Sequence, residues 1–226
     1  PLSIQVHPND EIAEARHNSF GKNESWFIIE TEKNANLSVG FNKKIDKKIF
    51  SKNLNNKTIE QLLNTFVVKP KDVFYVPAGT IHALNGKMLL LEVQQSSDIT
   101  YRIHDYDRLD PKTGRKRKLH KELAFSTINF SNNKNEKIKY NSIRNELNPV
   151  IENNFFKIYY LKTNGKEIQK IVMNKSFWIF VCLEGLFSIH WENKKQPFKK
   201  GETFFIPSVL NLVNIRGHGE IIAITT

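Results

Sequence analysis

The chain has 226 residues, 39% hydrophobic and 25% charged, an ordinary composition for a globular protein able to form one large domain or two small ones. Its one cysteine, Cys182, excludes a disulfide framework, and no apolar run approaches the roughly 20 residues of a membrane span. The net charge of +11 is lopsided: residues 1–113 are nearly neutral, with 15 basic and 14 acidic side chains, while residues 114–226 hold 19 and 9. No aromatic-interleaved basic motif accompanies that excess, so a cytoplasmic protein with neither a nucleic-acid nor a membrane partner is expected.

The first residues already alternate. Leu2, Ile4 and Val6 share one strand face, and Ser3, Gln5 and His7 share the other. A strand that starts at Pro1, with no methionine before it, implies a missing upstream segment. Pro8 ends the strand, and Asn9-Asp10-Glu11 caps a short helix through Arg16. Gly21-Lys22-Asn23-Glu24 leads into a strand at Ser25–Glu30, with Lys22 and Glu24 on one face. Val39–Phe41 is a further short strand. Lys43–Phe66, rich in Lys and Asn, reads as an excursion over one end of a barrel, with a short helix at Thr58–Asn64.

Asp72–Val76 alternates again, turns at Pro77 and Gly79, and presents His82 with Thr80 and Asn85 beside it. Lys87–Gln94 is a continuous apolar strand carrying Glu92. Ser96-Ser97-Asp98 leads to a strand at Ile99–His104, where Thr100, Arg102 and His104 share a face. A turn at Asp110–Gly114 lies within the basic run Lys112, Arg115, Lys116, Arg117, Lys118 and Lys121, which is either a solvated turn or a phosphate-holding patch. A short helix follows at Leu119–Phe125. Ser131–Asn148 is low in apolar residues and reads as a linker, dividing the chain into domains at 1–130 and 151–226, with 131–150 between them.

Strands resume at Phe155–Leu161, Phe177–Cys182, Leu186–Trp191, Thr203–Ile206 and Ile221–Thr225. Lys200–Ser208 echoes Lys71–Ala78 as a basic residue, a strand and a proline, so the chain holds two related barrels. The second copy has no counterpart of His82, and its domain is expected to be degenerate and without a metal. The apolar setting of Cys182 predicts a buried inert thiol.

The inward candidates are Gln5, His7, Glu24 and His82. Two imidazoles, a carboxylate and an amide oxygen form a borderline nitrogen and oxygen donor set suited to zinc, manganese, iron or cobalt. With no thiolate and a weak amide donor, a position open to substrate favours catalysis over a closed structural site.

The pieces Gln5-Val6-His7-Pro8, Gly21–Trp26, Val76–Ala83 and Glu92–Arg102 resemble class I mannose-6-phosphate isomerase, above all its short bacterial form. The resemblance is specific in residues 1–110 and architectural after 150. It implies a mainly all-β fold of two cupin-type β-barrels or jelly rolls with a few short helices. It also implies one zinc ion on Gln5, His7, Glu24 and His82, and a catalytic role for Arg102. Ser3 and Lys22 match positions that line the family's substrate pocket, and Asp98 is a further candidate there. The implied reaction interconverts mannose 6-phosphate and fructose 6-phosphate through a cis-enediol, and its base is to be sought among Glu92, Asp98, His104 and Lys22. Family members carry an N-terminal segment before the Gln-x-His strand that is absent here, so the chain reads as a fragment. The partner is then a small sugar phosphate, and the protein a monomer or homodimer. A non-catalytic sugar-binding cupin and a metal-dependent cupin oxygenase use the same ligand types and stand as alternatives.

Overall fold

In the computed structural model, which describes residues 2–131, 136–165, 169–172, 176–210 and 212–226, the chain divides into two units, Pro1–Lys137 and Ile138–Thr226. Pro1 and residues 132–135 of the expected linker lie outside the described residues.

Unit 1 runs β1 (Ile4–Val6), α1 (Asp10–His17), β2 (Glu24–Thr31), β3 (Asn36–Phe41), α2 (Lys47–Asn55), β4 (Leu63–Val67), β5 (Val73–Val76), β6 (His82–Asn85), β7 (Met88–Gln94), β8 (Tyr101–His104) and α3 (Lys121–Phe125). The strands form one sheet in the order β4-β3-β6-β1-β8 and a second in the order β5-β2-β7. Alternation divides each strand. Ile4 and Val6 of β1 enter a core with Phe41, Phe50, Ile81, Tyr101 and Ile103, leaving Gln5 for the opposite face. Trp26, Ile28, Leu37, Val39, Phe74 and Val76 form a second apolar cluster.

The helix expected after Pro8 is present: Asn9 accepts from the Ile12 amide at 3.0 Å, and Asn18 closes the helix in the left-handed region. Gly21 then passes so close to this helix that an added Cβ would lie 2.5 Å from the Asn9 carbonyl carbon and the Asp10 nitrogen. No other residue fits there.

The excursion 43–66 differs from expectation. The helix read at Thr58–Asn64 is only a single 3-10 turn at Ile59–Leu62. From Leu63 the chain is extended, because pairing with β3 (Leu37 with Phe66, Ser38 with Thr65) satisfies its backbone better than an isolated helical turn. The longer helix lies earlier, in α2, where Asp46 accepts from the Ile49 amide at 2.7 Å and Phe50 is buried against Phe41 and Phe130. Its many lysines mask a narrow apolar stripe of Ile45, Ile49, Phe50 and Leu54.

Unit 2 comprises β9 (Leu147–Glu152), β10 (Lys157–Asn164), β11 (Gln169–Val172), β12 (Trp178–Trp191), β13 (Lys194–Lys199), β14 (Thr203–Ile206) and β15 (Leu212–Thr225). They form one sheet, β13-β12-β15-β10-β9, with β11 on β15 and β14 on β12. The two strands expected at Phe177–Cys182 and Leu186–Trp191 are one strand, bulged between Cys182 and Glu184. Its partner β15 begins at Leu212, far before the expected Ile221. Glycine explains both continuities. Gly185 faces Gly219 across the ladder, and a Cβ on Gly219 would lie 2.0 Å from the Glu184 carbonyl oxygen. These glycines lie where two backbones touch. Strands β11 and β13 were hidden by polar composition, and β9 begins inside the linker expected over 131–150.

The internal echo has a structural counterpart. Lys71 and Gly201 both adopt positive φ before their strands. Asp72 accepts from the Lys69 amide at 2.8 Å, and Glu202 from the Lys199 amide at 2.9 Å. Cys182 is buried as expected, and burial pushes its thiol up to about 11.

Removing the buried ring in Phe50→Ala is expected to destabilise unit 1 by about 3–5 kcal/mol, read as a lowered denaturant midpoint. An unchanged midpoint would contradict this placement of α2.

Candidate metal centre

Three side chains that could hold a metal ion meet inside unit 1: His7 just beyond β1, Glu24 opening β2 and His82 opening β6. Their donor atoms lie within 4.8 Å of one another, and all three residues are buried, His82 completely. Strand pairing brings them together. Gln5 stands opposite His82 on one side and Arg102 on the other, so His82, Gln5 and Arg102 form a row across β6, β1 and β8. From the second sheet, Glu24 reaches His7 Nε2 and His82 Nε2, each at 3.4 Å. Trp26 packs edge-on against the His82 ring at 5.4 Å.

Main-chain carbonyls fix both imidazoles. His82 Nδ1 donates to the Thr80 carbonyl and His7 Nδ1 to the Ile99 carbonyl, each at 2.8 Å. A ring that gives its Nδ1 proton to a carbonyl has Nε2 left to ligate, and the Nε2 atoms of both rings face the Glu24 carboxylate. Burial draws the His82 pKa down to about 4, against the pull of Glu24, so this ring is neutral at pH 7. Burial raises the Glu24 pKa, but His82, His7 and Lys22 outweigh it and bring it to about 2. His7 Nε2 and both Glu24 oxygens are buried without a hydrogen-bond partner. Ligand-type atoms gathered about one buried point, with His7 Nε2 and the Glu24 oxygens lacking hydrogen bonds, suit a divalent cation there. The residues therefore fit a metal.

Gln5 approaches as an amide: its Nε2 lies 3.2 Å from His82 Nε2, and its Oε1 accepts from Ser3 Oγ at 3.0 Å. A half-turn of the amide would bring its oxygen toward the cluster, and the Ser3 hydroxyl could then accept instead of donate.

Lys22 stands between two carboxylates, with Nζ 3.2 Å from Glu24 and 3.1 Å from Glu92. Burial and the charge of Glu24 raise the Glu92 pKa, while Lys22 opposes them. Arg102 has a buried Nε without a hydrogen-bond partner.

The structure thus brings Ser3, Gln5, His7, Lys22, Glu24, His82 and Glu92 into one contact network and sets Arg102 beside Gln5. It places the other candidates differently. Asp98 is exposed, next to the carbonyl that holds His7, and His104 packs edge-on against Tyr106 at 4.9 Å. Asn85, expected beside His82, pairs with Asn36 at the far end of β6, while Thr80 contributes its carbonyl. Sequence reasoning missed the carbonyls of Thr80 and Ile99, since every residue carries one and only the fold selects these.

The basic run is a turn held by carboxylates. Asp105 accepts from both Arg108 and Arg117, and Asp107 pairs with Lys116 at 2.6 Å and Lys57 at 3.4 Å. Asp110 accepts from the amides of Lys112 and Thr113. Hydrogen bonds from Arg117 outweigh burial and, with Arg108, hold the Asp105 carboxyl at about 2. Among the described residues, no helix is long and apolar enough to cross a membrane.

Comparison with known proteins places these features. The family model "Mannose-6-phosphate isomerase, cupin domain" matches residues 145–226. Mannose-6-phosphate isomerase ManA of Bacillus subtilis is 34% identical over 224 residues, covering 98% of this chain and 70% of the relative. The mannose-6-phosphate isomerase of Streptococcus mutans is 31% identical over 223 residues, covering 98% and 69%. The crystal structure of mannose 6-phosphate isomerase from Bacillus subtilis superposes with a TM-score of 0.89 at 32% identity, covering 99% of this chain and 71% of that one. A variant of phosphomannose isomerase from Salmonella typhimurium, at 17% identity and a TM-score of 0.75, shares the fold. The mainly-β architecture is a cupin fold, and the chain is shorter than these relatives.

Two outcomes follow. Adding a divalent cation to chelator-treated protein is expected to raise its thermal midpoint by several degrees, and His82→Ala to abolish that rise. An equal rise in the variant would remove His82 from the ligand set. The Asp105 carboxyl titrates lower in the folded state than its usual 3.8, so its contribution is present above about pH 4 and lost as pH falls through about 2. Asp105→Asn should therefore destabilise by about 1–3 kcal/mol at pH 6 and progressively less toward pH 2, measured by denaturation at each pH.

Proposed function

This chain belongs to the mannose-6-phosphate isomerase family of enzymes, and from that premise we propose that it interconverts mannose 6-phosphate and fructose 6-phosphate with one zinc ion in its N-terminal unit. The observation that carries this reading is the set of buried donors without hydrogen bonds at Glu24 and His7, beside the Lys22–Glu92 pair and the row that ends in Arg102. Gln5, His7, Glu24 and His82 would hold the ion. Zinc bound there supplies Lewis acidity that draws charge from the sugar's carbonyl oxygen.

The chain's own groups then do the rest. In the aldose-to-ketose direction the C2–H bond breaks, its proton passes to a Glu92 oxygen, and the aldehyde oxygen gains a proton to give a cis-enediol. The C2 hydroxyl next gives up its proton as the ketone forms, and the proton on Glu92 returns to C1. No proton is gained or lost overall. Glu92 suits this task because burial and Glu24 raise its pKa above the usual carboxylate value, while Lys22 Nζ 3.1 Å away stabilises the carboxylate between turnovers. Arg102, always cationic, stabilises the charge that develops on the enediol oxygens. Ser3 orients Gln5, and Lys22 lines the sugar's path. A second unit with Leu212 at the position of His82 suits a supporting domain without a metal. A cytoplasmic setting suits a phosphorylated substrate.

The test is a coupled assay with mannose 6-phosphate, with and without a chelator. Activity that chelation abolishes and zinc restores is the expected result, and metal-dependent oxygen uptake without isomerisation would instead identify an oxygenase. Glu92→Gln should lower kcat by roughly 10²- to 10⁴-fold, and Arg102→Ala should lower kcat with zinc content unchanged on elemental analysis. Wild-type turnover in either variant removes that residue from the mechanism.

A further inference from the structure

Asn23 sits between Lys22 and Glu24, and strand alternation turns its side chain to the far side from theirs. There it is buried, with 6% of its surface exposed, and saturated with partners. Its Oδ1 accepts from the Ala78 amide at 3.0 Å and from the Tyr75 hydroxyl at 3.1 Å. Its Nδ2 donates to Gln95 Oε1 at 2.7 Å, and its main-chain amide donates to the same oxygen at 2.9 Å. The Gln95 amide returns a bond to the Asn23 carbonyl at 3.1 Å. Gln95 Nε2 in turn donates to Asp10 Oδ1 at 3.0 Å, which also accepts from the Gly21 amide at 2.8 Å.

This network joins the segments that carry His7, Glu24, His82 and Glu92. Asn23 is covalently next to Glu24. Gln95 follows β7, which carries Glu92. Ala78 belongs to the turn that delivers His82, and the next residue, Gly79, donates its amide to the His7 carbonyl at 2.8 Å. One side chain therefore ties β2 to β7 and to the turn between β5 and β6. Apart from the Gln95 amide bond, which continues the ladder, none of these bonds builds the sheet: β2 is already paired with β7 from Glu24 to Thr31 and with β5 from Glu24 to Phe27. They fix where β2 starts relative to the turn, which sets the distance between the Glu24 carboxylate and the two imidazoles.

We propose that Asn23, braced by Gln95, is a positioning residue for the metal centre: it holds the Glu24 carboxylate at the separation from His7 and His82 that a divalent cation requires. The inference rests on the metal-dependent reading above and extends it to a residue that touches neither the candidate ligands' donor atoms nor the substrate. Partners behind a ligand typically govern metal affinity by roughly 10- to 100-fold, and a carboxylate free to drift gives a loss of that size.

The experiment measures zinc affinity of the full chain by competition with a chromophoric chelator, the visible absorption of the cobalt-substituted protein, and the thermal midpoint of the metal-free form. Asn23→Ala is expected to weaken zinc binding roughly 10- to 100-fold and to alter the cobalt spectrum, with the metal-free midpoint changed by only a few degrees. A purely structural role would lower that midpoint and leave affinity and spectrum as in wild type, and that result overturns the proposal. Should Asn23→Ala not fold, Gln95→Ala decides. It keeps the bonds of Asn23 to Ala78 and Tyr75 but removes the brace, and wild-type zinc affinity in that variant overturns the proposal equally. Failure of the wild-type protein to bind zinc would overturn the metal-dependent reading itself, a separate outcome.

Discussion

A carboxylate buried against two imidazoles that each give Nδ1 to a main-chain carbonyl is the constraint on which the rest of unit 1 depends. Glu24 is 1% exposed, and an isolated carboxylate at that depth is among the costliest groups a protein can bury. The fold offsets this in two ways. Lys22 supplies a full charge from the same strand approach, and the imidazoles are arranged to accept a cation rather than to donate to the carboxylate. That second choice is made by the carbonyls of Thr80 and Ile99. Had Nδ1 of either ring been left free, the proton could have moved to Nε2 and paired with Glu24 directly. By claiming Nδ1, the backbone turns Nε2 of each ring toward Glu24, where the three side chains could hold a metal ion.

The same constraint explains the placement of the elements. A metal needs donors from several directions, and a single strand presents only every second residue to one face. Two sheets are therefore required, one contributing His82 and Gln5 and the other Glu24, with His7 arriving from the end of β1. Each candidate ligand sits at a strand end or on a very short strand, where the path is set by turns and caps rather than by long ladders. Gly21, Pro77 and Gly79 follow from this requirement. Gly21 lets the approach to β2 touch α1, and Gly79 adopts positive φ while its amide holds the His7 carbonyl.

How much of this was legible in the sequence depended on whether a feature was local. The faces of β1 followed from alternation alone, and the cap at Asn9 from its side chain. The grouping of Gln5, His7, Glu24 and His82 could be guessed from donor chemistry, and it gained weight only from resemblance to known motifs. What escaped was set by partners distant in sequence. The helical spacing of Ile59, Leu62 and Leu63 was real, yet β3 offered Leu63–Val67 a better use of its backbone. The strands read at Phe177–Cys182, Leu186–Trp191 and Ile221–Thr225 proved parts of two longer ones, and the juxtaposition of Gly185 and Gly219 across β12 and β15 shows why neither strand stops. Asn23 was visible inside a motif, but its hydrogen bonds to Gln95 and Ala78 belong to the fold.

The internal repeat separates what the architecture needs from what the chemistry needs. In both copies a left-handed residue precedes the strand, an acidic side chain caps the turn, and a proline ends it. Counting from that proline, His82 of the first copy corresponds to Leu212 of the second, and each opens the next strand. The turn therefore survives without the imidazole, so its geometry is a property of the hairpin rather than a consequence of ligand binding. The converse is informative for the first copy. A leucine at position 82 would satisfy the strand equally well, and His82 is fully buried, where an imidazole costs desolvation that leucine does not. Folding gives no reason for histidine there. The reason lies in what its Nε2 faces, and two strand spacings away, roughly 9–10 Å across the row, stands Arg102. Gln5 stands between the two, so one face of the sheet carries a candidate ligand, an amide and a guanidinium in a row.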